Sequence, residues 1–356
     1  MIEKKMTIKD IARLADVSAG TVDRVLHNRG KVSADKKARI DQVLEEINYQ
    51  PNVIAKTLKN NKMYRVAVLM PAIGQDAYWS RAIQGLDEGL REFGSFGITA
   101  TVHHFAVEDP DSIYRAYEAL EFDGFDCILL APIFAHNIEK IFRDADSRGV
   151  PIIAFNTHPN KQVHSAFIGQ DLVQSGRVAS NLIWLSQKKK GRILLLHIDE
   201  TPASAPHIAD KEIGFKSYLS EHGYDPSLVT SLAMNHDDER TLVQQLDDSG
   251  AVDEELSAVY ITTSWAYEVA AYIKEKCSQS IIVGYDLIEP NTHLLKEGII
   301  TFLIDQNPYQ QAYLGISTFC DHLIFGKPLP QEQLLPLNVA FKENLDSVLQ
   351  GRPGLS

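Results

Sequence analysis

Side chains suited to holding a small polar molecule stand at or just after the ends of apolar, strand-like runs. They combine aromatic rings with carboxylates and amides: Asp76, Tyr78, Trp79, Asn156, Asp286 and Gln306. Aromatic faces stack on the C–H faces of a sugar ring, while carboxylates and amides hold its hydroxyl groups. Ligands of open α/β sheets bind outside the carboxyl ends of the strands, so these positions predict a single ligand cleft.

No arrangement of residues in the sequence points to catalysis. His103 and His104 are adjacent in a strand-like run, so their side chains face opposite ways and make a poor metal pair. No P-loop, GxSxG or HExxH motif occurs. The three cysteines, Cys127, Cys277 and Cys320, form no CxxC pair, which favours buried small hydrophobes over a zinc site or disulfides. We therefore expect a binding protein that is not an enzyme and has neither metal nor cofactor.

The elements that must position the cleft residues alternate between strands and helices. After residue 63, apolar runs such as "YRVAVLM", "DCILLAP", "RILLLHI" and "SIIVGYD" are separated by amphipathic stretches. Continuous apolar strands between helices predict parallel sheets covered on both faces; about ten strands over roughly 280 residues favour two such sheets. A closed (β/α)₈ barrel is the alternative. The late segment "LPQEQLLPLNVAF" favours two lobes, because it fits a chain that crosses back between them.

The first 50 residues show the pattern of three short helices with apolar inner faces. Thr7 and Asp10 match a capping box, and Ser18 and Ser33 match the N-caps of the second and third helices. The tight turn "ADVS" separates the first two helices. The predicted inward residues are Ile8, Ile11, Ala12, Leu14, Ala15, Val22, Val25, Leu26, Ile40, Val43, Leu44 and Ile47.

A linker follows the third helix. Pro51 ends that helix, because the residue before a proline disfavours α geometry. Residues 52–60 have the length of a two-turn helix, which is too short to be stable alone in water. We expect a hinge segment that becomes ordered on binding.

Charge is unevenly distributed along the 356 residues, whose net charge is -12. Residues 1–62 hold 13 basic and 8 acidic residues and carry +5, whereas the remainder holds 22 basic and 39 acidic residues and carries -17. This asymmetry indicates that only the head meets a polyanion. The charged N-terminus is not a secretory signal, and no apolar run reaches membrane-spanning length. A cytoplasmic protein without a membrane partner is expected.

Three motifs in the head occur in a family-specific order. They are T-I-x-D-I-A from Thr7, V-S-x-x-T-V-x-R-V-L from Val17, and Y-x-P-N-x-x-A-x-x-L from Tyr49. Through them the chain resembles the LacI/GalR (lactose-repressor) family of bacterial transcription regulators. The resemblance implies a helix-turn-helix whose second helix enters the major groove, followed by a hinge helix in the minor groove.

The resemblance also assigns roles to individual head residues. Ala19 and Gly20 take base-discriminating positions, and Arg24 takes that of an arginine whose fork suits guanine O6 and N7. Leu58 takes the position of a leucine that wedges between base pairs; packing on the neighbouring domain is the alternative. Asp23 departs from the usual serine. The predicted DNA contacts are Thr7, Ser18, Ala19, Gly20, Thr21, Arg24, Asn28, Ser33, Asn52, Ala55 and Leu58.

The body, Tyr64 to about Leu345, resembles the periplasmic sugar-binding-protein fold that this family uses as its effector domain. Two departures stand out. The arginine usual five residues before the Gly-aromatic pair at Gly214 is replaced by Ala209, with His207 and Lys211 nearby. The Asn-Asp pair usual after the "AVYITT" strand is replaced by a segment that adds two predicted ligand contacts, Ser264 and Trp265. A sugar or sugar derivative is the favoured ligand, and a purine-like effector is the alternative.

The sequence thus predicts an all-α helix-turn-helix head and an α/β body of two doubly wound parallel-sheet lobes. The expected boundaries are 1–50 for the head, 51–62 for the hinge, 63–345 for the body and 346–356 for a tail. Within the body we expect one lobe from 63–166 and 290–326, and the other from 167–289 and 327–345. The expected function is a homodimeric repressor of a pseudo-palindromic double-stranded DNA operator, controlled by a small ligand. A solute-binding protein and a sugar-processing enzyme with a fused head are the alternatives.

Overall fold

The computed structural model describes residues 6–26, 30–47, 62–72, 74, 77–120, 124–134, 136–159, 166–187 and 190–351. The chain divides into two compact units, Met1–Asn60 and Asn61–Ser356. Five predicted contact residues lie outside the described residues: Asn28, Asn52, Ala55, Leu58 and Asp76.

The described part of the head consists of three helices, as predicted: α1 Ile8–Leu14, α2 Ala19–Leu26 and α3 Ala34–Glu46. Its core holds one fully buried residue from each helix, Ile11, Val22 and Ile40. Leu14 is 50% exposed, so its predicted inward position is wrong. Ile8, Ile11, Ala12 and Ala15 follow the i, i+3, i+4, i+7 spacing of one helix face, and Leu14 lies outside that spacing.

Two of the three predicted helix caps form as expected. The Thr7 hydroxyl accepts from the Asp10 amide, and the Asp10 carboxylate accepts from the Thr7 amide at 3.0 Å, so the capping box is confirmed. Ser18 Oγ accepts from the Thr21 amide at 3.2 Å at the start of α2. Ser33 occupies the N-cap position of α3, but its side chain makes no capping hydrogen bond.

Within its described residues the body contains two six-stranded sheets, which confirms two doubly wound lobes and excludes the closed barrel. The first sheet has the order β11-β5-β4-β3-β1-β2 with all strands parallel. Its strands are β1 Tyr64–Pro71, β2 Ile98–Phe105, β3 Cys127–Leu130, β4 Ile152–Phe155, β5 Ala166–Gly169 and β11 Glu332–Leu334.

The second sheet has the order β12-β10-β9-β8-β6-β7. Its strands are β6 Arg192–Ile198, β7 Val229–Met234, β8 Leu256–Ile261, β9 Ile281–Tyr285, β10 Phe302–Asp305 and β12 Asn338–Ala340. The short β12 pairs antiparallel to β10, and the other neighbours are parallel. The inner strands of both sheets are buried along nearly their whole length, as expected for sheets covered on both faces.

Helices cover both sheets, and two helix pairs approach unusually closely. A Cβ built on Gly85 would lie 1.9 Å from the Tyr309 carbonyl oxygen, and one on Gly214 would lie 1.8 Å from that of Val173. Only glycine permits such backbone contact. The body helices are α4 Ala77–Phe93, α5 Ser112–Glu118, α6 Ile138–Ser147, α7 Leu172–Ser186, α8 Pro206–Glu221, α9 Leu242–Asp248, α10 Ala266–Lys276, α11 Glu289–Glu297, α12 Pro308–Phe325 and α13 Leu345–Gln350. No helix in the described ranges is long and apolar enough to cross a membrane.

Within the described residues, the chain passes between the sheets three times: after β5, after β10, and between β11 and β12. The expected lobe boundaries at 166, 290 and 327 therefore need correction, because β5 continues in the first sheet to Gly169, β10 belongs to the second sheet and β11 to the first. Strand order depends on pairing between distant segments, which local patterns do not reveal. The expected tail is also corrected at its start, since α13 buries Leu345 and packs Val348 and Leu349 against the second lobe.

Candidate functional site

A cavity of about 530 Å³ lies between the two lobes, at the carboxyl ends of their strands. It is lined by Ala72, Gly74, Tyr78, Trp79, Ala106, Val107, Glu108, Ile133, Asn156, Ile198, Asp199, Glu200, His207, Lys211, Asn235, His236, Asp237, Thr262, Thr263, Ser264, Trp265, Asp286 and Gln306. We call this cavity the cleft. Its volume falls within the range of small-molecule sites, and indole rings line both sides of it.

The described residues predicted to bind ligand all line the cleft. These are Tyr78, Trp79, Asn156, Ser264, Trp265, Asp286 and Gln306. Asn156 and Asp286 directly follow β4 and β9 and adopt left-handed φ angles of 70° and 67°. Asn and Asp tolerate this backbone region better than most residues, which explains their positions at two strand ends.

A hydrogen-bonded chain joins polar cleft residues of the two lobes. Asn156 Nδ2 donates to the Tyr78 hydroxyl at 2.6 Å, and the Asn156 amide donates to Gln311 Oε1 at 2.7 Å. Gln311 Nε2 donates to the Gln306 carbonyl at 2.8 Å, and Gln306 Nε2 donates to Asp286 Oδ2 at 2.8 Å. Gln311 was not predicted, because it lies inside α12 and reaches the cleft only through its partners.

Lys211 is the most deeply buried charged residue of the cleft, with 1% of its surface exposed. Its ammonium donates to the Thr262 carbonyl at 2.9 Å and lies 3.8 Å from the centre of the Tyr285 ring. Burial lowers the pKa of Lys211 to about 8, although the carboxylates of Asp286 and Glu200 favour the charged form. The sequence placed Lys211 near the family's missing arginine without assigning it a role.

His207 bridges the two lobes at the back of the cleft. Its Nε2 lies 3.1 Å from Glu200 Oε2 within the second lobe, and its Nδ1 lies 3.4 Å from Thr157 Oγ1 of the first lobe. Thr157 Oγ1 also donates to Asn156 Oδ1 at 2.9 Å. The bridge therefore connects α8 to the strand-end loop that carries Asn156.

Trp265 is held from the side by a histidine. The His236 ring lies 4.7 Å from the indole, and its Nδ1 lies 2.8 Å from Asp199 Oδ2. Asp199, like Asn156 and Asp286, has a left-handed φ, of 65°. Sequence reasoning missed Asp199 and His236, although Asp199 directly follows the predicted strand "RILLLHI". Among the described residues, no three His, Cys, Asp or Glu side chains converge as metal ligands.

The predicted DNA-contact residues of the described head lie in and around α2. Thr7, Ser18, Ala19, Gly20, Arg24 and Ser33 are exposed, and Thr21 is half-buried. Apart from its own helix backbone and chain neighbours, no atom of the described residues lies within 4 Å of a Cβ built on Gly20, so the start of α2 is sterically open there. Arg24 Nε donates to the Gly20 carbonyl at 3.1 Å, which holds the guanidinium along its own helix.

Two family comparisons match this arrangement. Residues 7–52 match bacterial regulatory proteins of the lacI family, and residues 66–328 match a periplasmic binding protein domain. The head belongs to the lacI family. The body is the periplasmic-binding-protein-like domain that the resemblance implied.

Individual relatives agree with the family assignment. A putative LacI transcriptional regulator from Bacteroides fragilis has a solved structure with a TM-score of 0.74 and 27% identity, over 80% of this chain and 99% of that one. Catabolite control protein A of Staphylococcus aureus (strain Mu50 / ATCC 700699) is 26% identical over 48% of this chain and 50% of that protein. The ribose operon repressor of Lactococcus lactis is 24% identical over 62% of this chain and 64% of that protein. The chain thus matches about half the length of catabolite control protein A and less than two thirds of the ribose operon repressor.

Proposed function

We propose that this chain is a homodimeric, sequence-specific DNA-binding repressor whose affinity for a double-stranded operator is controlled by a small ligand. The ligand is a sugar or sugar derivative bound in the cleft. The observation that carries the proposal is the presence, in one chain, of a lacI-family head and a cleft between two parallel-sheet lobes. We assign the protein to the cytoplasm and expect it to act by binding and not by catalysis.

The lining of the cleft supports a polyhydroxylated ligand. The indole faces of Trp79 and Trp265 suit the C–H faces of a sugar ring, and amide and carboxylate groups suit its hydroxyls. In this proposal the contacts come from the predicted set, Asp76, Tyr78, Trp79, Asn156, Ser264, Trp265, Asp286 and Gln306.

The exposed start of α2 supports major-groove reading by a sparse set of side chains. Ala19 offers only a methyl group and Gly20 no side chain, so Arg24 is the main direct reader in this proposal. Arg24 must release the Gly20 carbonyl to reach a base, and a bidentate contact with guanine offsets the loss of that hydrogen bond. The proposed wedge at Leu58, with Asn52 and Ala55 in the hinge, adds minor-groove contacts and DNA bending. Asn28, just after α2, is a further proposed contact of the head.

Ligand control requires that the two lobes move relative to each other. The three crossings form the junction about which the lobes can rotate, and ligand contacts from both lobes favour the closed cleft. In a dimer, this rotation changes the spacing of two heads and thereby their fit to two operator half-sites.

The test combines operator selection with ligand screening on the full chain. Selection from random duplexes should recover a pseudo-palindrome, bound at least about a thousandfold tighter than random DNA in gel shifts. A panel of sugars should raise the melting temperature, because ligand binding stabilises the folded state, and an active sugar should also shift operator affinity. Recovery of no sequence preference contradicts the regulator, and stabilisation without any change in operator affinity contradicts ligand control.

A further inference from the structure

Acidic side chains outnumber basic ones around the cleft. Among the described residues of its lining, the acidic and basic side chains are Glu108, Asp199, Glu200, Asp237 and Asp286 against Lys211, His207 and His236. The lining is therefore net negative whether the two histidines are protonated or neutral. Within a partly enclosed site such a potential acts on a ligand more strongly than it would in open water.

The one lysine of the described lining is poorly placed to receive an anionic ligand. Its ammonium is bonded to the Thr262 carbonyl and covered by the Tyr285 ring. A phosphate or carboxylate would have to reach past these groups to a side chain that is 1% exposed. Lys211 thus offsets part of the negative charge without forming an anion site.

Two carboxylates remain uncompensated, one on each lobe. Glu108 follows β2 in the first lobe and Asp237 follows β7 in the second, and both are exposed. Neither has a hydrogen-bond or ion-pair partner among the described residues, whereas Asp199 and Glu200 each face a histidine. A cation held between the lobes would be attracted by both carboxylates, which a neutral ligand is not.

Two further features of the lining favour an amine with hydroxyl groups. Thr263 is 7% exposed, and its Oγ1 is buried with no hydrogen-bond partner in the part of the chain that the structure describes. Buried hydroxyls normally find a partner, so a polar group of the ligand that reaches Thr263 would supply one that the protein does not, whereas Lys211 already has its partner. Trp79 and Trp265 both line the cleft, and an indole can attract an ammonium group through cation–π interaction in addition to stacking on a ring.

We propose that the effector is a polyhydroxylated molecule with a protonated amine, of the amino-sugar class, and that the cleft disfavours sugar phosphates and sugar acids. This assignment rests on the proposed function, because it names the charge of the ligand in the same cleft. The positive charge of the amine is selected by several features together. They are the five described carboxylates of the lining, a lysine covered by the Tyr285 ring, and two indole rings.

The experiment titrates the full chain by calorimetry at pH 6.5 with series that share one ring. Each series holds an amine, a neutral parent, an N-acetyl amine, a uronate and a 6-phosphate, in the gluco, galacto and manno configurations. The amine of the recognised configuration should bind at least about tenfold tighter than its parent and N-acetyl form. Added salt should reduce this difference in affinity, since Glu108 and Asp237, which we call the rim carboxylates, are solvent-exposed.

The outcomes separate the charge assignment from the proposed function. Equal affinity for amine and parent, or tighter binding of a uronate or phosphate, overturns the charge assignment and leaves a sugar-controlled regulator intact. If no member of any series binds, the sugar effector fails and the charge assignment fails with it.

A double variant tests the rim carboxylates directly. Glu108→Gln with Asp237→Asn should reduce the ratio of amine affinity to parent affinity at least about threefold. Glu254→Gln is the matched control, because this exposed carboxylate precedes β8 at the opposite end of the sheet from the cleft. An unchanged preference in the double variant, or an equal reduction in the control, overturns the role of the rim.

Discussion

Lys211 carries an energetic cost that only the structure reveals. Its pKa, lowered to about 8 by burial, lies below the value near 10.5 that applies in the unfolded chain. Below pH 8 the ammonium is charged in both states, so the full cost of burying the charge is present. Between pH 8 and 10.5 the unfolded chain binds more protons, so the free energy of unfolding rises with pH as the cost is relieved.

Lys211→Met should abolish this pH dependence. From pH 7.5 to 10, the free energy of unfolding of the natural chain should rise by about 2 kcal/mol relative to the variant. Urea denaturation at the two pH values measures the difference. Lys216→Met, on the same helix but with a half-exposed side chain, controls for the loss of a positive charge. A constant gap between the natural chain and Lys211→Met would contradict the buried, pKa-lowered ammonium.

Arg24→Ala should flatten the sequence preference of the head. If Arg24 reads guanine, the variant should lose about 1–3 kcal/mol on the selected operator and gain tolerance at one base position per half-site. Gel shifts with single-base operator variants measure this. Arg13→Ala removes another exposed guanidinium, on α1, and should leave the ranking of operators unchanged. An equal loss on all sequences would instead make Arg24 a phosphate contact.

The polar cleft residues could be predicted because they follow strands directly. Asn156, Asp286 and Gln306 sit at carboxyl ends that parallel pairing brings together, so local pattern and sheet geometry suffice. His207 and Gln311 lie on helices, and their place at the cleft depends on how those helices pack. Such packing is set by distant residues, and no local pattern in the sequence encodes it.

At the scale of elements, glycine governs how closely the helices pack. Gly214 of α8 lies against Val173 of α7, and Gly176 of α7 lies against Lys211 of α8. Each glycine admits a backbone carbonyl where a Cβ would collide at less than 2 Å. The two glycines thereby fix the position of α8 relative to α7, and α8 carries both His207 and Lys211 into the cleft.

Gly214→Ala should destabilise the body by at least about 1–3 kcal/mol, because the added methyl forces α7 and α8 apart. The midpoint of urea unfolding should fall accordingly. Gly94→Ala is the matched control, since its added Cβ meets no atom within 4 Å in the described part of the chain beyond its immediate neighbours. Equal midpoints for the two variants would show that the close contact is not required.

The elements differ in how well local patterns predict them. Long apolar strands such as β1, β2 and β6 occur where the alternation of strands and helices predicts them. The strands β11 and β12 have three residues each, which is too short for a pattern, and the partly exposed edge strand β7 lacks an apolar run. These strands form where a longer neighbouring strand offers unpaired backbone N–H and C=O groups.

For the whole molecule, Gln170 connects the three crossings. It lies in the first crossing, is 2% exposed, and donates through Nε2 to the Asp305 carbonyl and to the Pro336 carbonyl, both at 2.9 Å. Asp305 ends β10 at the second crossing, and Pro336 lies in the third. Two-lobed architecture could be predicted from the sequence, but this junction could not, since it joins residues more than 130 positions apart.

Gln170→Leu should loosen the junction of the three crossings between the lobes while leaving the lobes themselves folded. The variant removes both donors and leaves two carbonyls without them, at a cost of about 1–3 kcal/mol. Hydrogen exchange at the amides of residues 306, 307, 335 and 337 should accelerate, whereas exchange in β3 and β8 should stay as in the natural chain. Gln187→Leu, which loses one hydrogen bond to Ser257 at the end of α7, is the control and should leave the crossings unchanged.

A looser junction between the lobes should also affect ligand control. If the crossings transmit closure, the ligand-induced change in operator affinity should shrink in Gln170→Leu, since a flexible junction permits closure of the cleft without a fixed rotation of the lobes. Operator affinity without ligand should stay unchanged, because the head is a separate unit. Faster exchange at the crossings together with an undiminished ligand response would show that the coupling runs through other contacts, such as the bridge from His207 to Thr157.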